Sequence, residues 1–141
     1  MLPGGGIEPG EDPDTALARE LREEIAATAE VHSLVLILQQ DTARQYIYLA
    51  RPHTWSASPR RPHRPRVNDP GRGSYHLQPV PLTTQALASA NLKPAELAQF
   101  LLSHISASAD LFALPDLRAG HDTAPFAGRH SHVARCLPND L

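Results

Sequence analysis

The sequence predicts an α+β domain, and three observations predict it. An amphipathic helix opens at Pro13, two apolar β-type runs lie between residues 31 and 50, and Lys93-Pro94 signals a later helix. Asp12-Pro13 starts the first helix because the Asp carboxylate can accept from free backbone N–H groups and Pro at the first helical position sacrifices no bond. The helix is expected to run over residues 13–27, with Leu17, Leu21 and Ile25 as a stripe facing the core. Glu20, Glu23 and Glu24 fall on a separate arc, about 100° wide at 3.6 residues per turn. Ala16 and Ala27 share that sector and leave room above the glutamates.

After the helix, residues 31–39 (VHSLVLILQ) have strand composition, 40–43 read as a turn and 44–50 (RQYIYLA) as the returning strand. Tyr46 and Tyr48 alternate with Ile47 and Leu49, so one face packs on the helix and the other carries polar tips. Residues 51–73 are rich in Pro, Arg and His without apolar periodicity and read as an irregular loop. Residues 74–80 suggest an edge strand. The run NLKPAELAQFLLSH then gives a helix with Leu97, Phe100, Leu101 and Leu102 as its apolar positions. Residues 110–117 close the domain with a packed turn, so the domain is expected over 1–118 and a disordered tail over 119–141.

Composition narrows the function. The 141 residues suit one domain, and a formal charge of −2 argues against a nucleic-acid polymer or a membrane surface as partner. Cys136 is the single cysteine, so no intramolecular disulfide forms and a cytoplasmic location is expected. No signal peptide and no apolar run near the roughly 20 residues of a spanning helix is present. A Gly-x-Ser-x-Gly elbow, a Gly-Lys-Ser/Thr phosphate loop and a His-Glu-x-x-His helix are all missing.

The chemistry concentrates in residues 4–27, GGGIEPGEDPDTALARELREEIAA. Three like charges on one helix face repel unless a cation sits among them, and hard oxygen donors of this kind suit Mg²⁺ or Mn²⁺. Arg19 can pair with the cluster at its rim, and Gly4, Gly5 and Gly6 let backbone approach a ligand closely. Glutamates on a helix are ordinarily a solvated face paired to Arg, but that view predicts no particular register. Here Gly5, Glu11, Arg19, Glu20, Leu21, Glu23 and Glu24 all stand at the spacings of the Nudix box, G-x5-E-x7-R-E-U-x-E-E-x-G-U with U aliphatic. The stretch thus resembles the Nudix hydrolase family. One departure is Ala26 in place of the late glycine, which predicts a different helix end.

The resemblance implies an α/β/α sandwich, a mixed sheet packed between helices, and water attack on the diphosphate of a nucleoside diphosphate derivative with Mg²⁺ or Mn²⁺ bound. Carried over by position, Glu20, Glu23 and Glu24 would ligate metal, with the Gly4 carbonyl as a further ligand. Glu20 or a neighbour would orient or deprotonate the water, Arg19 would hold Glu20, and Glu11 would support the cluster. The partner implied is a nucleotide-type small molecule. In the family several strands precede the box, whereas this chain begins at it, so a truncated domain is expected. The alternative is a sheet completed from another chain, and the exposed edge predicts a homodimer or aggregation. The rival to a working pyrophosphohydrolase is a catalytically impaired Nudix-like nucleotide-binding module. Arg60, Arg61, Arg64 and Arg66 suggest a phosphate-facing lid with Trp55 stacking on a base, but a solvated loop is the favoured reading. Asp69 is a weak candidate for an additional acid, and His121, His130 and His132 fit no metal spacing.

Overall fold

A computed structural model describes residues 2–40, 43–56, 78–120 and 132–138, the last by its backbone alone. In chain order these are β1 (Gly4–Gly6), α1 (Pro13–Ile25), β2 (Thr28–Gln40), β3 (Ala43–Thr54), α2 (Thr84–Ser89), α3 (Ala95–Ser106) and β4 (His132–Pro138). Two 3₁₀ turns, Leu111–Ala113 and Leu117–Gly120, precede β4. The sheet order is β1-β4-β3-β2, with β4 parallel to β3 and the other pairs antiparallel. The mixed sheet and its helices form the expected α/β/α sandwich.

Helix α1 begins as its sequence dictates. Asp12 is extended at φ −86°, and its carboxylate accepts from the Thr15 N–H at 2.9 Å and the Thr15 hydroxyl at 2.8 Å. The helix stops at Ile25, not Ala27. Ala26 adopts the left-handed conformation at φ 51° and ψ 31°, and the Ala27 N–H donates to the Leu21 carbonyl at 3.1 Å. Alanine at this position therefore keeps the helix end that glycine favours, at the expense of crowding its Cβ against the following carbonyl.

Strand β3 carries the core on both faces. Tyr46 and Tyr48 pack with Leu17, Leu21, Ile25 and Leu34 on the α1 side, while Ile47 and Leu49 pack with Leu97, Leu101 and Leu111 on the α3 side. The alternation was expected to leave one face with exposed polar tips. Instead both layers of helix bury it, and Tyr46, Ile47 and Tyr48 are at most 1% exposed. Ala16 and Ala27 are likewise in the α1-side core, so they do not form open space above the glutamates. The hairpin is longer than its apolar run, because Arg51 and Pro52 continue β3 opposite Glu30 and Ala29. Beyond it the Ser56 N–H donates to the Ile25 carbonyl at 2.9 Å, tying the end of β3 to the end of α1.

The C-terminal region departs most from expectation. Residues 132–138, expected within a disordered tail, form the strand between β1 and β3. Pairing with β4 satisfies the backbone groups of β3, and the edge on that side of the sheet is β1. The other edge, β2, is capped from the turn after α3. The Leu34 N–H donates to Asp116 at 3.1 Å and Arg118 donates to the His32 carbonyl at 2.8 Å. Arg118 also clasps Asp116 through Nε and Nη2 and reaches Asp14 in the first turn of α1 at 2.8 Å. Gln78, Pro79 and Val80 lie in no strand, and α2 is a short helix with no strong sequence signal, capped by Thr83. No single helix among the described residues is long and apolar enough to cross a membrane.

Two outcomes check this packing. Ala26→Gly should stabilise the chain by about 1 kcal/mol, the left-handed strain relieved less the added freedom of the unfolded chain, read from denaturant midpoints. The Arg118 guanidinium, chiefly by its hydrogen bonds, lowers the Asp116 carboxyl from 3.8 to about 2. A lowered folded-state pKa stabilises above the unfolded value, and this contribution disappears as pH falls from about 4 to about 2. Asp116→Asn should therefore lose melting temperature relative to the parent at pH 6, with the gap closing by pH 2. Its partial exposure keeps the effect small.

Candidate active site

The site is built where α1 meets the glycine strand β1. Gly4 takes φ 131°, a backbone conformation that side chains disfavour, and its N–H donates to Glu24 Oε2 at 3.0 Å. Gly5 lies directly against the Glu20 carboxylate. A Cβ on Gly5 would fall inside contact distance of the carboxyl carbon and both oxygens, so only glycine lets strand and glutamate approach this closely. These two contacts set two of the three helix glutamates against backbone.

Arg19 fastens the remaining parts. Its Nε and Nη2 make a two-pronged pair with Glu11 at 3.0 Å each, Nη1 donates to Glu20 at 2.7 Å, and Nη2 donates to the Gly6 carbonyl at 2.9 Å. A guanidinium can do this because its planar fork presents several donors at once, whereas an ammonium is a point charge. Glu11 additionally accepts the Glu8 N–H at 3.0 Å. Its carboxyl is held below the ordinary range chiefly by the Arg19 hydrogen bonds, and Arg19 is itself held above its ordinary range chiefly by Glu11. Glu23 stands outside this frame, about half exposed and 3.8 Å from Arg19.

The structure therefore brings Glu11, Arg19, Glu20, Glu24 and Gly4 together, with Glu23 at the rim. It presents Gly4 to Glu24 by its N–H. The Gly6 carbonyl and the Glu8 N–H belong to the same frame and were not singled out from sequence. Backbone groups carry no residue-type signal, although the GGG run marks where they approach. Trp55 is 40% exposed at the end of β3. The four loop arginines, Asp69, His121, His130 and the side chain of His132 lie outside the described residues.

As donors, Glu20, Glu23 and Glu24 fit a hard divalent cation: all offer oxygen from one helix face, and Glu20 and Glu24 border backbone that approaches without an intervening side chain. They do not form a closed cage. Among the described residues no group of three or more His, Cys, Asp or Glu side chains is gathered around one cation position, since Glu20 turns to Arg19 and Glu24 to Gly4.

The NUDIX domain model matches residues 1–73, more than half of the 141-residue chain, and the chain belongs to that family. Membership supports a hydrolase acting on pyrophosphate bonds, and such enzymes generally use divalent metals. Comparison with curated proteins gave no match, and comparison with solved structures gave none.

Gly5→Ala tests the close approach of strand and glutamate. It should displace the Glu20 carboxylate and lower turnover of a pyrophosphate substrate by about 10- to 100-fold, the scale of a misplacement near 1 Å. Circular dichroism and the melting temperature should stay close to the parent's. Parental turnover in this variant would mean that the position of Glu20 does not matter.

Proposed function

We propose that the chain is a Mg²⁺- or Mn²⁺-dependent pyrophosphohydrolase of a nucleoside diphosphate derivative, an assignment that rests on membership of the NUDIX family. Water attacks one phosphorus, the bond from that phosphorus to the bridging oxygen breaks, and two phosphate-bearing products leave. The observation that carries this reading is the Arg19 fork, which locks Glu11, Glu20 and the Gly6 carbonyl into one frame beside Glu23 and Glu24. Glu20, Glu23 and Glu24 would hold the cation, and Glu20 or a neighbouring carboxylate would take the proton of the attacking water. Arg19 positions Glu20, Glu11 fixes Arg19, and Gly4 lies beside Glu24. A bound cation supplies charge neutralisation for the phosphates and a more acidic water. Phosphoryl transfer needs positioning and charge stabilisation above all, and a rigid helix face meeting a glycine strand provides the first.

The test is product release from nucleoside diphosphate derivatives with Mg²⁺, with Mn²⁺ and with EDTA. Turnover should require the cation, and Glu24→Gln should lower it by about 100-fold or more. Gln keeps an oxygen to accept the Gly4 N–H, so the melting temperature should hold within a few degrees. Undiminished turnover in Glu24→Gln would remove Glu24 from the metal site. Cation binding without turnover on any substrate would identify a nucleotide-binding module in place of an enzyme.

A further inference from the structure

The strand that presents Gly4, Gly5 and Gly6 to the site is three residues long. A strand of that length has too few hydrogen bonds to stand by itself. Its sheet partner is β4, paired Gly4 to Arg135, Gly5 to Ala134 and Gly6 to Val133. The same three residues of β4 pair on their other side with Gln45, Tyr46 and Ile47 of β3. β3 is immobilised by core on both faces. With β4 between them, β1 lies two strand spacings from β3, roughly 9 to 10 Å, beyond the reach of any direct ladder hydrogen bond. Among the described residues the side-chain hydrogen bonds of β1 run to α1, Gly4 to Glu24 and Gly6 to Arg19, and its flanking residues Leu2 and Ile7 pack on the two core clusters.

We propose that residues 132–138 are the seating strand of the candidate site, each chain supplying its own, so that docking of this segment fixes the glycine strand against Glu20 and Glu24 and its release disengages them. The sequence of β4, HVARCLP, contains no carboxylate, and the role proposed for it is one of positioning, exerted through backbone pairing. It gives the chain a control point remote in sequence from the helix that carries the carboxylates. The catalytic consequence rests on the hydrolase reading above; the seating itself does not.

The first test is a crosslink in the full chain. Residues facing each other across an antiparallel pair have Cα atoms about 4.5 to 5.5 Å apart, within the range a disulfide spans. Gly6 has open space where a Cβ would sit, so Gly6→Cys with Val133→Cys, in a Cys136→Ala background, should close an intrachain disulfide under mild oxidation. The offset pair Gly6→Cys with Pro138→Cys should not. Failure of the first pair to close, or closure only between chains in a non-reducing gel, overturns the proposal.

The second test is hydrogen exchange. The amides of Gly4–Gly6 should be protected in the parent, and Ala134→Pro, which removes a ladder donor from a strand paired on both sides, should lower that protection by about tenfold or more. Mn²⁺ affinity and hydrolysis should fall with it. Unchanged protection overturns the seating, and lost protection with unchanged Mn²⁺ affinity and hydrolysis overturns its link to the site. If Ala134→Pro unfolds the whole chain, the crosslink decides. A parent that hydrolyses nothing refutes the hydrolase reading alone, and the crosslink, exchange and Mn²⁺ binding still decide the proposal.

Discussion

The Arg19 guanidinium is the group through which helix α1, the glycine strand and the loop between them hold one another. It satisfies a carboxylate before the helix, a carboxylate on the helix and a carbonyl of β1, with bonds of 2.7 to 3.0 Å. Paired charges that are only partly buried give up less solvation than a deep ion pair, and each prong of the fork is directional. The consequence is orientation more than stability. Glu20 is pinned beside Gly5, and Glu23 is left at the exposed rim.

A second charged hub mirrors the first at the far side of the domain. Arg118 binds Asp116 and Asp14 and covers the outer edge of β2 at His32, while Asp116 covers it at Leu34. Burial and then the nearby Asp14 carboxylate hold the Tyr48 phenol well above its ordinary range, so it stays neutral in the core. One arginine thus ties the start of α1 to an edge strand, and another ties the middle of α1 to the opposite edge of the sheet. Between them the site helix is fixed at both the end that starts it and the face that carries the chemistry.

Much of this was legible in local chemistry. Asp12-Pro13 announces the start of α1, the Leu17, Leu21 and Ile25 spacing announces its buried face, and the box spacing announces which glutamates share the other. What misled was context. Tyr46 and Tyr48 looked like a half-exposed face because alternation alone does not say that helices cover both sides of a sheet. Ala26 looked like an altered helix end because propensity does not register the pull of packing around Leu21 and Ile25.

By itself the sequence determined the first helix, the hairpin and the family, because each depends on residues near one another along the chain. Tertiary structure alone decided the role of residues 132–138. A strand paired on both sides draws its hydrogen bonds from partners more than 80 residues away at β3 and about 130 away at β1, as in Tyr46 with Ala134 and Gly5 with Ala134. Such a segment needs no periodicity or motif of its own, only an unfilled slot between two strands, and that slot exists only once the rest of the chain has folded.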